Sequence, residues 1–118
     1  MEDSRLMQSM LLDFYGQLLT EKQRECYDLH YNEDLSLSEI AEQSGSSRQA
    51  VWDNIRRAEA ALKATEEKTG LVKRFFETSK LLDSIKDKFE KLLEQADGEA
   101  ETVIKQAIDD INSFKELR

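Results

Sequence analysis

Six polar residues in the stretch SRQAVWDNIRRAE (Ser47–Glu59) carry the best-defined chemistry of the chain: Ser47, Arg48, Gln49, Asp53, Arg56 and Arg57. Arg48 suits the paired acceptors on a guanine edge, and Gln49 suits the donor and acceptor on an adenine edge. Arg56 and Arg57 follow two helical turns later and add two positive charges. Asp53 is repelled by phosphate, and Trp52 is an unusual side chain for a nucleic-acid groove. A plainer reading of the same residues is open at this point. In it Arg48 is an exposed polar residue near a helix start, and Arg56 and Arg57 pair with neighbouring acids.

Other chemistries lack the residues they need. Cys26 and His30 lie four apart on one helix face, a spacing that metal ligands also use. The chain has one cysteine and one histidine in all, so a place in or near the core is expected of both, with no metal and no cofactor. There is no glycine-rich phosphate loop and no Ser/His/Asp or Cys/His set with enough members for catalysis. The many carboxylates fall at helical spacing and read as solvated faces, so an enzyme is not expected.

The six residues sit in a stretch whose local signals predict a helix-turn-helix, Leu35–Ala61. Ser36 followed by Glu39 is a capping box that starts a helix just ahead of Leu37 and Ile40. Gln43-Ser44-Gly45-Ser46 breaks the apolar pattern after about two turns. Gly45 supplies the positive φ that ends this helix and turns the chain. Ser46 or Ser47 then caps a second helix. Ala41 is small enough for two short helices to cross closely, and Val51 points back toward it. The second helix of such a motif enters the major groove, so its first exposed residues are those that reach base edges.

The rest of the chain supplies the support. Leu6, Met7, Met10, Leu11, Phe14, Tyr15, Leu18 and Leu19 form the apolar face of one amphipathic helix. Thr20 and Gln23 make a second capping box, opening a helix through Cys26, Tyr27, Leu29, His30 and Tyr31. These two helices are expected to wrap the motif and bury Ile40, Val51, Ile55 and Leu62, giving a four-helix head over residues 1–70. The second motif helix continues through Arg56–Lys68 to Thr69-Gly70. From Leu71 a heptad seam begins: Leu71, Phe75, Thr78, Leu82, Ile85, Phe89, Leu92 and Ala96. After Gly98, Ala100, Ile104, Ala107, Ile108, Ile111 and Phe114 form a last amphipathic helix. Residues 71–118 are thus a helical extension whose stripe needs a partner. A helix of about 25 residues spans roughly 38 Å, more than a small head can cover. A homodimer through Leu71, Phe75, Leu82, Ile85, Phe89 and Leu92 is therefore favoured over a hairpin within one monomer or a docking face for another protein.

Composition fits this layout. The 118 residues contain no proline and four glycines, and 36% are charged, which points to an all-α chain. No segment approaches the roughly 20 apolar residues of a membrane span. MEDSRLMQSM lacks the basic-then-apolar order of a secretory signal. A single cysteine suits a reducing cytoplasm. The net charge of −8 counts against strong nucleic-acid binding. Residues 1–70 hold 14 acids against 8 bases and residues 71–118 hold 11 against 9, so the half with the candidate reading helix is the more acidic.

Three segments in order, DFYGQLLTEKQ (Asp13–Gln23), LSLSEIAE (Leu35–Glu42) and SRQAVWDNIRRAE (Ser47–Glu59), resemble the YlxM-like family of small bacterial helix-turn-helix proteins. The middle segments are also similar to region four of primary and extracytoplasmic sigma factors. The resemblance covers roughly the first 75 residues by motif, and the remainder by length and helical character. It implies an all-α fold with a sigma region-four-like head, without winged elements, and long C-terminal amphipathic helices. It also implies a regulator or accessory of the signal recognition particle pathway, with DNA binding inferred from the fold. The candidate contacts carried over are Ser47, Arg48, Gln49, Asp53 and Arg56. Against the sigma-like pattern, Ala50, Trp52 and Asp53 replace basic or amide residues, and Ser44 and Ser46 replace apolar ones at the turn. Two functions therefore compete. One is a dimeric regulator that binds DNA or the RNA of the targeting particle. The other is a module that docks on the particle's GTPase, whose RNA-binding domain is basic and methionine-rich, through an acidic surface.

Overall fold

Helix boundaries in this chain follow the chemistry of the exposed backbone ends. The structure, a computed structural model, describes residues 2–116, and among these it contains six α-helices and no strand. They are α1 (Glu2–Tyr15), α2 (Glu21–Tyr31), α3 (Leu37–Ser44), α4 (Arg48–Thr69), α5 (Leu71–Leu93) and α6 (Gly98–Lys115), with a 3-10 turn at Gly16–Leu18. Both capping boxes form. Thr20 Oγ1 accepts the Gln23 N–H at 3.1 Å while Gln23 Oε1 accepts the Thr20 N–H at 3.2 Å. Ser36 Oγ accepts the Glu39 N–H at 3.1 Å and Glu39 Oε1 accepts the Ser36 N–H at 2.9 Å. The Ser36 N–H, bonded to the ionised form, holds the Glu39 carboxyl below its usual range.

α3 ends at Gly45 with φ 72°, and α4 ends at Gly70 with φ 65°. Both lie in the left-handed region where a side chain is strained and glycine is not. α4 is a single helix of 22 residues, about 33 Å long. One element therefore carries both the exposed polar stretch and the far end of the head.

The first compact unit is Met1–Val72. Its core is centred on Cys26, Ile40, Ala41, Val51 and Ile55, with Leu29, Tyr31, Leu35 and Leu37 packed against it. Met10, Tyr27, Ala58 and Leu62 are buried as well. Ala41 and Val51 meet across the turn, which is why α3 and α4 can cross at short range. Burying Val51, Ile55 and Leu62 contributes roughly 1.5–3 kcal/mol each.

Three tyrosines fasten the helices to one another by their hydroxyls. Tyr27 donates to the Gln8 carbonyl at 2.9 Å, and Tyr31 donates to Glu59 Oε2 at 2.8 Å. Tyr15 donates to Glu66 Oε1 at 2.6 Å and also meets Thr69 Oγ1. Glu66 Oε1 accepts the Val72 N–H at 3.1 Å. This ties the start of α5 into the first unit and buries Val72.

His30 braces the loop between α2 and α3, its Nδ1 bonding the Leu35 carbonyl at 2.9 Å. Cys26, beside it in the sequence pattern, is buried, and burial pushes its thiol pKa up. Among the described residues no group of three or more His, Cys, Asp or Glu could hold a metal ion.

The structure corrects two sequence expectations. The first helix does not run through Leu19 but stops at Tyr15, where the 3-10 turn takes over. The tighter turn changes the angular step per residue, so Leu18 swings out to 69% exposure while Leu19 returns to the core. Leu6, in the first turns of α1, is also exposed. The heptad seam likewise outlasts its helix. α5 stops at Leu93, and Ala96 lies in the turn that follows, its N–H bonded to the Leu93 carbonyl.

The second unit, Lys73–Arg118, is a helical hairpin in its described part. Phe75 of α5 stacks on Phe114 of α6 with ring centroids 5.3 Å apart, and Lys86 Nζ donates to Asn112 Oδ1 at 2.9 Å. Phe75, Leu82, Ile85 and Phe89 are half-buried. Leu81, Leu92 and Val103 are exposed, and within this unit Ile111 alone of the described residues is fully buried. No described helix is long and apolar enough to cross a membrane.

Substituting Gly45 by alanine is expected to cost about 1–2 kcal/mol, as read by urea unfolding. The added Cβ meets nothing within 4 Å, so the loss is the left-handed backbone alone, and Gly45→Asn recovers part of it.

Burial, then the Glu59 hydrogen bond, push the Tyr31 hydroxyl from its ordinary 10.0 up to about 12. The folded pKa is raised, so this stability is fully present below the unfolded value and is lost as pH rises through the window between the two. Tyr31→Phe is expected to flatten the fall in unfolding free energy across that window. At neutral pH it costs about 1 kcal/mol.

Candidate nucleic-acid interface

The polar stretch becomes a surface because α4 is amphipathic around a narrow buried stripe. Val51, Ile55, Ala58 and Leu62 face the core. The remaining positions leave Arg48, Gln49, Trp52, Asp53, Arg56, Arg57 and Ala60 exposed at successive one-turn steps. The first and last arginines are about 13 Å apart along the axis.

Each candidate residue has a defined local role. Ser47 is the N-cap of α4, its Oγ accepting the Ala50 N–H at 3.1 Å. Its side chain is therefore engaged in starting the helix. Arg48 stands directly after the cap, at the exposed first turn. Gln49 donates from Nε2 to Asp53 Oδ1 at 3.1 Å, which fixes the amide along the helix surface. Asp53 thus holds the glutamine in addition to placing a negative charge on the face. Arg56 lies over the Trp52 ring, Cζ 5.8 Å from the centroid, within cation–π range. Asp53, Arg56, Arg57 and Ala60 line an open depression of about 340 Å³.

The plainer alternative holds for Arg48, which is an exposed polar residue at the helix start, whereas Arg56 and Arg57 are not paired with neighbouring acids among the described residues. Among the described residues the ion pairs are Arg5–Asp34 and Lys105–Glu101, at 2.9 and 3.0 Å. Arg48, Arg56 and Arg57 are in neither. In the segment 43–58 these three arginines face one acid, Asp53. A chain of net charge −8 so keeps a locally basic strip on its second motif helix. The residue that the sequence reading left out of the site is Trp52, 40% exposed at the middle of the strip. Its position is legible, since it lies one turn from Arg48, Gln49 and Arg56, but its type fits no groove contact.

The seam residues occupy a different region. Leu71 is exposed in the first unit, Leu92 is 54% exposed near the end of α5, and Phe75 is used in the stack with Phe114.

Known proteins match this chain over most of its length. The family model of UPF0122, described as helix-turn-helix protein, YlxM / p13 like, matches residues 2–102. A UPF0122 protein of Thermoanaerobacter sp. (strain X514) is 48% identical over 95 residues, 80% of this chain and 81% of that protein. One from Halalkalibacterium halodurans is 44% identical over 109 residues, 92% of this chain and 97% of its own length. One from Clostridium kluyveri is 54% identical over 70 residues, 59% of this chain and 63% of its own. With capped α3 and α4 crossing at Ala41 and Val51 and a matching profile over most of its length, the chain belongs to the UPF0122 family of YlxM/p13-like helix-turn-helix proteins.

Proposed function

We propose that this protein is a nucleic-acid-binding regulator, accessory to the signal recognition particle pathway, that engages DNA or the particle's RNA through the exposed strip of α4. The observation that carries this reading is the set Arg48, Arg56 and Arg57, all exposed along α4 and in no ion pair among the described residues. Arg48 at the start of the helix is the base-edge or leading phosphate contact, and Arg56 and Arg57 bind backbone. Ser47 contributes through the cap, and Asp53 through its hold on Gln49. The pathway assignment rests on the family resemblance.

A second reading has its own support. The head is acidic outside the strip, and Trp52 beside Arg56 is a pair of the kind that anchors protein interfaces. In that reading the head docks on the basic, methionine-rich domain of the particle's GTPase, and nucleic acid is not its ligand.

Fluorescence anisotropy of labelled duplex DNA and of the particle RNA, at two salt concentrations, separates them, with the GTPase as a parallel ligand. Three phosphate contacts predict a slope of log affinity on log salt of about −2.7 for duplex DNA, and Arg48→Ala lowers its magnitude by about 1 if it meets phosphate. The arginines are exposed, so each alanine variant should unfold within about 0.5 kcal/mol of wild type. Flat nucleic-acid curves beside a saturating GTPase signal would replace the first reading by the second.

We further propose that the chain acts as a homodimer joined along the α5 seam of Leu71, Phe75, Leu82, Ile85, Phe89 and Leu92, within the cytoplasm. Within the second unit Phe75, Leu82, Ile85 and Phe89 are partly covered, while Leu71 and Leu92 of the same stripe stay exposed. Sedimentation equilibrium is expected to give twice the 13.7 kDa chain mass. Leu92→Glu, a change at an exposed position, should return the single mass. A wild type that sediments as one chain at high micromolar concentration would end the dimer proposal.

A further inference from the structure

We propose that Trp52 is a stacking platform for an unpaired base, so that the nucleic acid this head selects has single-stranded, bulged or looped nucleotides. This rests on the nucleic-acid reading above and narrows it to a class of ligand.

Three observations converge on the indole. Its placement comes first. Trp52 lies between Val51 and Ile55, which are buried, yet is itself 40% exposed, so the core does not absorb the largest side chain of α4. It stands one turn after Arg48 and one turn before Arg56, so the three side chains lie in one row along the helix. The surrounding charge then matters. The Arg56 guanidinium sits 5.8 Å from the ring centroid, so the aromatic system is already flanked by a cation able to meet a phosphate. Third is the state of the edge readers. The Gln49 amide gives one of its two N–H groups to Asp53 at 3.1 Å, so its orientation is set along the helix and not toward an adenine edge.

The physical chemistry of the two kinds of ligand then differs. Paired bases in a major groove present polar edges, and an indole offers them one N–H and a broad apolar surface. Edge groups covered by that surface lose water without gaining a partner. Asp53 would also enter a groove walled by phosphates. An unpaired base presents its π face, against which an indole stacks whatever the base identity. Its freed Watson–Crick edge carries N–H donors, for which an aspartate is an acceptor. Asp53, Arg56, Arg57 and Ala60 line the adjoining open depression of about 340 Å³, with two cations for the flanking backbone. The same residues that fit a duplex poorly fit an extruded nucleotide.

Trp52 is the one tryptophan of the chain, so its emission reports stacking directly. The full chain is titrated with a mixed-sequence single-stranded RNA, with that strand paired to its complement, and with the same duplex carrying one unpaired adenine. Tryptophan emission and the anisotropy of labelled oligonucleotides are recorded together. The single strand and the bulged duplex are expected to quench the indole and to bind at least about tenfold tighter than the paired duplex. Trp52→Leu should remove that preference, weakening both by roughly 10- to 100-fold, while Trp52→Phe keeps most of it. Circular dichroism checks that each variant keeps its helix content. If all three ligands bind alike, Arg48→Ala weakens them and Trp52→Leu changes nothing, stacking is overturned and the nucleic-acid reading stands. If no nucleic acid binds at any salt, or a protein alone binds in a Trp52-dependent way, both are overturned.

Discussion

The close crossing of α3 and α4 is the constraint on which the head depends. Gly45 in the left-handed region ends one helix, two residues later Ser47 starts the next, and Ala41 and Val51 meet in the angle between them. A larger side chain at Ala41 would separate the helices, and Ile40 and Ile55 would lose their shared contacts with Cys26. The direction in which α4 leaves the turn decides which of its residues face solvent. The exposed strip is therefore a product of packing on the opposite side of the helix. Arginines at positions 48, 56 and 57 form a surface because valine, isoleucine and leucine at 51, 55 and 62 are committed to the core.

Electrostatically the head divides its work. Most acids lie away from the strip, and the arginines in it are in no ion pair among the described residues. A basic strip on an acidic body is a local attractor within long-range repulsion. Such a surface discourages indiscriminate adhesion to polyanions and rewards ligands that bring few phosphates close at once. Asp53 sharpens this, since it adds a repulsive element at the centre of the strip and selection often uses repulsion as well as attraction. The tyrosine hydroxyl bonds to Glu59 and Glu66 give two further acids a structural role.

Much of this was legible in the sequence, and the reasons are local. Capping boxes at Thr20 and Ser36 and the glycines at 45 and 70 declare helix ends through single side chains, and the structure places them there. The buried set of Ile40, Val51, Ile55 and Leu62 follows from period alone. What escaped depends on geometry that periodicity does not encode. An apolar pattern continues through Gly16 without registering that the backbone tightens there, so Leu18 was assigned to the wrong side. A heptad count passes Leu93 because Glu94 and Gln95 are good helix formers, and the turn is set by the residues beyond. In the strip, residue types suggest edge reading, but the bond from Gln49 to Asp53 and the seat of Arg56 over Trp52 depend on side-chain rotamers along one helix. They shift attention from the two residues that match a groove to the one that does not.

Cys26 gives the head a chemical property beyond its packing. Its side chain is 1% exposed at the centre of the α2–α3–α4 core, and burial disfavours the thiolate. The nucleophile that oxidants and alkylating agents attack is thus nearly absent from the folded state. Damage to this sulfur must wait for α2 to part from its neighbours, and its rate is gated by the free energy of that opening. The lifetime of the reduced protein under oxidative stress is accordingly a mechanical quantity. It is set by how tightly the helices close and not by how reactive the sulfur is.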